Sequence, residues 1–235
     1  MTPGLANRLC IPSATRVCCN FSETLKNLPA DKAVHTGCPI RHELLNGSRL
    51  AGLKLTNLSA DKPVLMVIGG SMGAVTINTA VREALPELLN DFQIVHLCGK
   101  DHLDEGLKDT KGYVQYEYMG APLKDLFAMA DIAVSRAGAN AICELLALKK
   151  PALLIPLGLK ASRGDQILNA DSYKARGYSM VLPEEDLTKE RLIHDVKELY
   201  ENRRSFRHAM ETAADRDAIT TIVDLIEACS GSKEA

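Results

Sequence analysis

There is no tryptophan in this chain, and aromatic residues fill only 4% of its 235 positions. So few rings leave little to stack on nucleic-acid bases. Positive charge is not in excess either: 28 basic residues stand against 30 acidic ones, a net charge of −2. A nucleic-acid partner is therefore not expected. None of the seven cysteines forms a CxxC pair, and His35, His42, His96, His102, His194 and His208 show no ligand spacing, so no metal is expected. No apolar run approaches the ~18 residues of a membrane span, and no signal-like segment opens the chain. With thiols expected to be reduced, these absences favour a cytoplasmic protein. Cys18 and Cys19, adjacent in an apolar run, are expected as buried small side chains.

Apolar residues make up 46% of the chain, enough for a sizeable core. From residue 64 onward, short apolar runs alternate with helical stretches. Strands are expected at 64–68, 93–97, 113–117, 131–135, 152–155 and 178–182. Helices are expected near 74–89, 101–108, 122–129, 139–148, 164–176, 188–199, 201–213 and 216–229. Non-alternating strands between helices mean a parallel sheet covered on both faces. Right-handed crossovers then favour an α/β, Rossmann-like doubly wound sheet of order 3-2-1-4-5-6. The first 40 residues fit this plan poorly. Strand-like RVCCNF (16–21) and AVHTG (33–37), with SETLKNL between them, are too small for a core of their own. They read as the last part of a second α/β domain.

In such a sheet the loops after the strands open on one edge, and ligands bind where strand order reverses. Three loops converge there. The first is Gly69-Gly70-Ser71-Met72-Gly73, whose glycines permit a tight turn into a helix N-terminus suited to phosphate. It is not a Walker loop, since no Gly-Lys-Ser/Thr follows. It also fails the dinucleotide fingerprint, because the second strand ends in Leu97-Cys98 without a ribose-binding acid, and NAD is disfavoured. The second loop, Ser135 to Glu144, brings Glu144 one turn into a helix near Asn140, where a carboxylate could accept from vicinal hydroxyls or merely suit the helix dipole. The third carries Lys160, Arg163, Asp165, Gln166 and Asn169, able to meet sugar hydroxyls or to cap a helix.

The segments GLANR, GCPIR, VIGGSMGA, SRAGANAICELLALKKPALLIPL and RGDQILNA, in this order and spacing, resemble the MurG family. The likeness runs from residue 4 to about 225. It implies a GT-B fold of two Rossmann-like domains and inverting transfer of N-acetylglucosamine from UDP-GlcNAc to lipid-linked N-acetylmuramyl-pentapeptide in peptidoglycan synthesis. By this resemblance Gly70, Ser71, Met72 and Gly73 meet the donor diphosphate, Arg41 stands at the domain junction, and the backbone of Met119 contacts uracil. Ala139, Asn140, Ala141, Ile142, Cys143 and Glu144 bind the nucleoside, with Glu144 on the ribose. Gln166 contacts the sugar beside Asp165 and Asn169. Cys38 replaces an Asn of the junction segment, and Asp165 stands where the family often has Gln.

The family's glycine-rich GGTGGH-type loop, its proposed general base and its acceptor surface have no match here. No catalytic residue is therefore expected in this chain, and no cofactor beyond the donor substrate. The implied organisation is a remnant of the N-terminal acceptor domain at 1–41, a connection at 42–63, a donor domain at 64–229 and a tail at 230–235. Partners implied are UDP-GlcNAc and a lipid-linked acceptor reached through a missing or separate N-terminal domain, with peripheral association at the cytoplasmic face of the bacterial inner membrane. Three alternatives stay open: the donor subunit of a split transferase, a diacylglycerol glycosyltransferase, and a non-catalytic nucleotide-sugar binding module.

Overall fold

The computed structural model describes residues 2–70, 74–159, 163–213 and 217–231. Ser71, Met72, Gly73, Lys160 and the end of the expected tail, 232–235, lie outside them. The chain forms two compact units, residues 1–40 with 213–235, and residues 41–212.

The first unit contains α1 (Leu5–Cys10) and a parallel pair, β1 (Val17–Cys19) and β2 (Ala33–His35). SETLKNL forms a 3-10 turn over Ser22–Asn27 instead of a full helix. Cys19 is buried but Cys18 is exposed. Adjacent residues on a strand face opposite ways, so the expected burial of both is corrected by simple alternation.

In the second unit, α2 (Arg49–Thr56) precedes β3 (Val64–Ile68), α3 (Val75–Asp91), β4 (Gln93–Leu97) and β5 (Tyr113–Tyr116). Then come α4 (Leu123–Met129), β6 (Ile132–Ser135), α5 (Ala139–Ala147) and β7 (Ala152–Leu154). The unit closes with α6 (Asp165–Ala175), β8 (Ser179–Val181), α7 (Lys189–Glu201) and α8 (Arg203–Glu211). All six strands pair in parallel in the order β5-β4-β3-β6-β7-β8, the expected doubly wound order, and strand order reverses between β3 and β6. Leu65 and Val67 of β3 join Ile77, Val81 and Leu88 of α3 and Leu192, Val196 and Leu199 of α7 in one core cluster. The last helix, α9 (Ala218–Gly231), groups with residues 1–40. Among its less exposed residues, Ala218, Ile222, Leu225 and Cys229 share one face at helical spacing.

Two expectations fail for physical reasons. The 101–108 helix is only a 3-10 turn at Glu105–Leu107. Asp104 turns its carboxylate onto the Gly106 N–H, and the Gln115 side chain bonds both the N–H and C=O of Asp104, so the backbone is satisfied without a helix. The 42–63 stretch is more than a connection. Ser48 caps α2 through the Ala51 N–H, while its own N–H donates to Asp125 Oδ1 at 2.7 Å.

That helix lies so close to α4 that only glycine fits at the contact. A Cβ on Gly52 would sit 2.4 Å from the Asp125 carbonyl oxygen, which is fixed backbone. Gly52→Ala is therefore expected to destabilise the unit by about 1–3 kcal/mol, as overpacking does. A melting temperature equal to that of the unsubstituted chain would refute this.

The α3 helix is pinned from within. Asn78 donates to the Cys98 carbonyl, which leaves its Oδ1 to accept from His96 Nε2 at 3.0 Å. The other ring nitrogen of His96 then accepts from the Tyr113 hydroxyl at 2.9 Å. Burial, with the Arg82 charge second, holds this imidazole neutral down to about pH 3. The buried histidine is thus a strut between α3 and the sheet.

Candidate functional site

A cleft of about 470 Å³ opens at the carboxyl edge of the sheet, where β3, β4 and β5 meet α4 and α5. Such a volume lies in the range of small-ligand sites, about 300–1,000 Å³. Its floor is Ile68 and Leu97, its apolar wall Leu123 and Phe127, and its polar end Asn140 and Glu144. Gly70 borders it with φ +92, a backbone conformation that strains any other residue, although a Cβ there would meet open space. Gly70 is thus required for its conformation and not for room.

Glu144 projects from α5 and is mostly buried, its side chain 17% exposed. Arg41 donates to Glu144 Oε1 from both Nη2, at 2.9 Å, and Nε, at 3.2 Å. Both donors converge on one oxygen. The N-terminus of α5, capped at Gly138 with no side-chain hydrogen bond, brings Asn140 and Ala141 to the same cleft and presents the positive end of the helix dipole.

The structure brings Arg41, Gly70, Met119, Asn140, Ala141 and Glu144 to the cleft. It does not bring Ala139, Ile142, Cys143, Asp165, Gln166 or Asn169 to its lining. Ile142 is fully buried, and its N–H is spent on the Gly138 carbonyl. Cys143 is buried against the Tyr173 hydroxyl. Gln166 accepts from the Leu157 N–H at 3.1 Å, and buried Asn169 donates to the Ala137 carbonyl at 2.9 Å. These two brace the loops around the cleft. Asp165 opens α6 behind Gly164 and is exposed, as suits an acid in a first helical turn.

Several lining residues were not anticipated, among them Glu117, Tyr118, Leu123 and Phe127. Only their place at the carboxyl end of β5 and in the helix after it could have flagged them.

Glu184 was also missed, although it ties the start of α3 to the second and third expected loops. Its Oε1 accepts from Thr76 Oγ1 at 2.6 Å, in the first turn of α3, and from Arg136 Nη2, in the loop after β6. Its Oε2 accepts from the Gly158 N–H at 3.3 Å, in the loop after β7. Arg136 is itself buried and also donates to the Ile155 carbonyl. Burial pushes the Glu184 carboxyl up, but the bonds from Thr76, Arg136 and Gly158 and the Arg136 charge together outweigh it and hold it below its ordinary value. An acidic PEED run just past β8 is the one sequence signal that could have found it, since it falls on the ligand edge of the sheet.

Comparison with known proteins agrees with this geometry. Residues 64–226 match the Glycosyltransferase family 28 C-terminal domain. The chain is 59% identical over 227 residues to a UDP-N-acetylglucosamine–N-acetylmuramyl-(pentapeptide) pyrophosphoryl-undecaprenol N-acetylglucosamine transferase from Lachnospira eligens. It is 57% identical to the protein of that name from Lachnoclostridium phytofermentans. In both cases the alignment covers 97% of this chain and 64% of the relative, so the chain spans less than two thirds of the proteins it matches. The crystal structure of Acinetobacter baumannii MurG shares its fold, with a TM-score of 0.73 at 23% identity over 96% of this chain and 64% of that one. A kitacinnamycin glycosyltransferase does so more loosely, with a TM-score of 0.62 at 18% identity over 85% of this chain and 50% of that one. With its family match on the sheet that builds the cleft, the chain belongs to glycosyltransferase family 28, whose C-terminal domain it carries.

Proposed function

We propose that the cleft binds the UDP moiety of UDP-GlcNAc, and that the chain is the donor half of a transferase that moves N-acetylglucosamine onto lipid-linked N-acetylmuramyl-pentapeptide. The observation that carries this reading is Glu144: a mostly buried carboxylate in the second turn of α5, in a cleft at the switch point of a family 28 domain. Its carboxylate suits two vicinal ribose hydroxyls. The uracil would lie along the Glu117–Met119 segment against Leu123 and Phe127. The diphosphate would lie toward Gly70 and the N-termini of α3 and α5, where Ser71, Met72 and Gly73 connect β3 to its helix. Gln166 and Asn169 hold the loops around the cleft in this reading.

In an inverting transfer, the acceptor hydroxyl attacks the anomeric carbon while UDP leaves, and charge grows on the diphosphate. Backbone N–H groups at a helix N-terminus stabilise that charge without reorganising. The attacking hydroxyl must lose its proton to a base, and no described cleft residue is assigned that role. Among the described residues no helix is long and apolar enough to cross a membrane. Peripheral association with the cytoplasmic face of the inner membrane belongs to the same proposal.

Calorimetric titration of the whole chain with UDP-GlcNAc, UDP and NADH tests it. UDP and UDP-GlcNAc are expected to bind, and NADH is not. A folded chain that binds none of them, or binds NADH as well as UDP-GlcNAc, overturns the proposal.

A further inference from the structure

At the opposite, amino edge of the sheet lies a second cavity of about 390 Å³. Four cations converge on it from three parts of the chain: Arg49 of α2, Lys149 and Lys150 between α5 and β7, and Arg207 of α8. One carboxylate, Asp131 at the entry to β6, faces them. That carboxylate is already engaged, since Asp131 Oδ2 accepts from the Val64 N–H at 2.9 Å and from Arg49 Nη2 at 3.3 Å.

The lysines have structural contacts that explain only part of the arrangement. Lys150 Nζ donates to the Ala130 carbonyl at 2.7 Å, and Lys149 Nζ donates to the Met210 carbonyl at 3.0 Å. Each ammonium has three donors, so these bonds leave capacity unused. Arg207 makes no hydrogen bond or ion pair among the described residues. Burial first, then the charges of Arg207 and Arg49, push Lys150 down to about 8, against the upward pull of Asp131. A chain of net charge −2 has therefore gathered four cations against one carboxylate around one concavity. Low-dielectric walls focus such a field on a small anion.

We propose that this cavity binds a phosphate group, as free inorganic phosphate or the head of a phosphomonoester, between Lys149, Lys150 and the guanidinium groups of Arg49 and Arg207. Phosphate offers several acceptor oxygens in different directions, which matches a guanidinium fork and two ammonium groups better than a planar carboxylate would. The site stands at the other end of the strands from the donor cleft, so it does not depend on the assignment of that cleft. Lys150, which faces Arg207, Arg49, Lys149 and Asp131, is charged below about pH 8. Phosphate affinity is thus expected to fall as pH rises through that value.

The test is amide NMR of the full chain titrated with inorganic phosphate at constant ionic strength. Saturable shifts are expected at residues 49, 149, 150 and 207, with affinity about tenfold lower in Arg207→Gln, which loses a charge-assisted contact. Unchanged melting of Arg207→Gln is expected, since Arg207 supports no other group; Lys149→Gln provides a second variant. Vesicles of phosphatidylcholine with phosphatidic acid, against phosphatidylcholine alone, distinguish the source. Phosphate shifts without vesicle binding support a soluble ligand, and shifts with Arg207-dependent vesicle binding support a lipid headgroup. Absent shifts, or shifts of equal affinity in Arg207→Gln and Lys149→Gln, overturn the site.

Discussion

Replacing Glu184 by Ala is expected to destabilise the larger unit by about 2–4 kcal/mol, a little short of the 3–5 typical when one partner of a fully buried ion pair is removed. The Arg136 and Glu184 side chains are 11% and 18% exposed, so the pair is shielded but not sealed. Without the carboxylate, the Arg136 guanidinium keeps its bond to the Ile155 carbonyl and loses its counter-charge. Thr76 and the Gly158 N–H lose an acceptor in the same step. In thermal melting this corresponds to a drop of about 5–12 °C. Glu184→Gln keeps the shape and some hydrogen bonding, and is expected to fall between the two.

The sign of the pH dependence follows from the lowered carboxyl. A group depressed in the folded state contributes fully above its ordinary value, here 4.5, and loses that contribution as pH falls through the lower folded value. The gap in melting temperature between the unsubstituted chain and Glu184→Gln is therefore expected to hold at neutral pH and close below about pH 4.5. A gap that persists unchanged into that range would show that the carboxylate charge is not its source, and a Glu184→Ala variant that melts like the parent would show that the clasp adds nothing. Because the carboxylate joins the starts of α3 and of two cleft loops, UDP-GlcNAc affinity is expected to weaken as well, through misplacement and not through a lost ligand contact.

Glu184 also marks where sequence reading stopped. The six strands of the larger sheet were legible because each is a short run rich in apolar residues, ended within two residues by a glycine, a proline or a charge, and burial leaves that pattern unbroken. The loops at residues 69–70 and 135–144 were legible because parallel topology sends them to one edge. Glu184 and Arg136, by contrast, are partners 48 residues apart. Nothing local distinguishes an acidic turn that faces water from one that closes over a buried guanidinium. The same holds for Gly47 and Gly52, whose need for glycine exists only because α4 lies against them. Phe127 and Leu123 illustrate the reverse error. Both fall within the helix expected near 122–129, yet only its position relative to the β5 edge makes their face the wall of a cleft.

Replacing Glu144 by Ala is expected to weaken UDP-GlcNAc binding by about 10- to 150-fold, equivalent to the roughly 1.5–3 kcal/mol of hydrogen bonds to a charged group. Its effect on stability should be small. The Arg41 partner is 48% exposed, and exposed pairs contribute about 0–1 kcal/mol. Affinity and melting temperature are thus expected to separate for this variant, whereas for Glu184→Ala they fall together. Arg41 sharpens the test, because both of its donors rest on Oε1 of Glu144. If Arg41 orients the carboxylate for the ribose, Arg41→Ala should weaken binding less than Glu144→Ala does, and the double variant should lose no more than Glu144→Ala alone. If Arg41 instead competes with the ribose for the carboxylate, Arg41→Ala should bind more tightly than the parent. We expect the first outcome: the guanidinium uses one oxygen, so Oε2 can accept from a hydroxyl while the pair stays closed. Parent-like affinity in a folded Glu144→Ala variant would remove the ribose from this end of the cleft, and with it the assignment of the donor site.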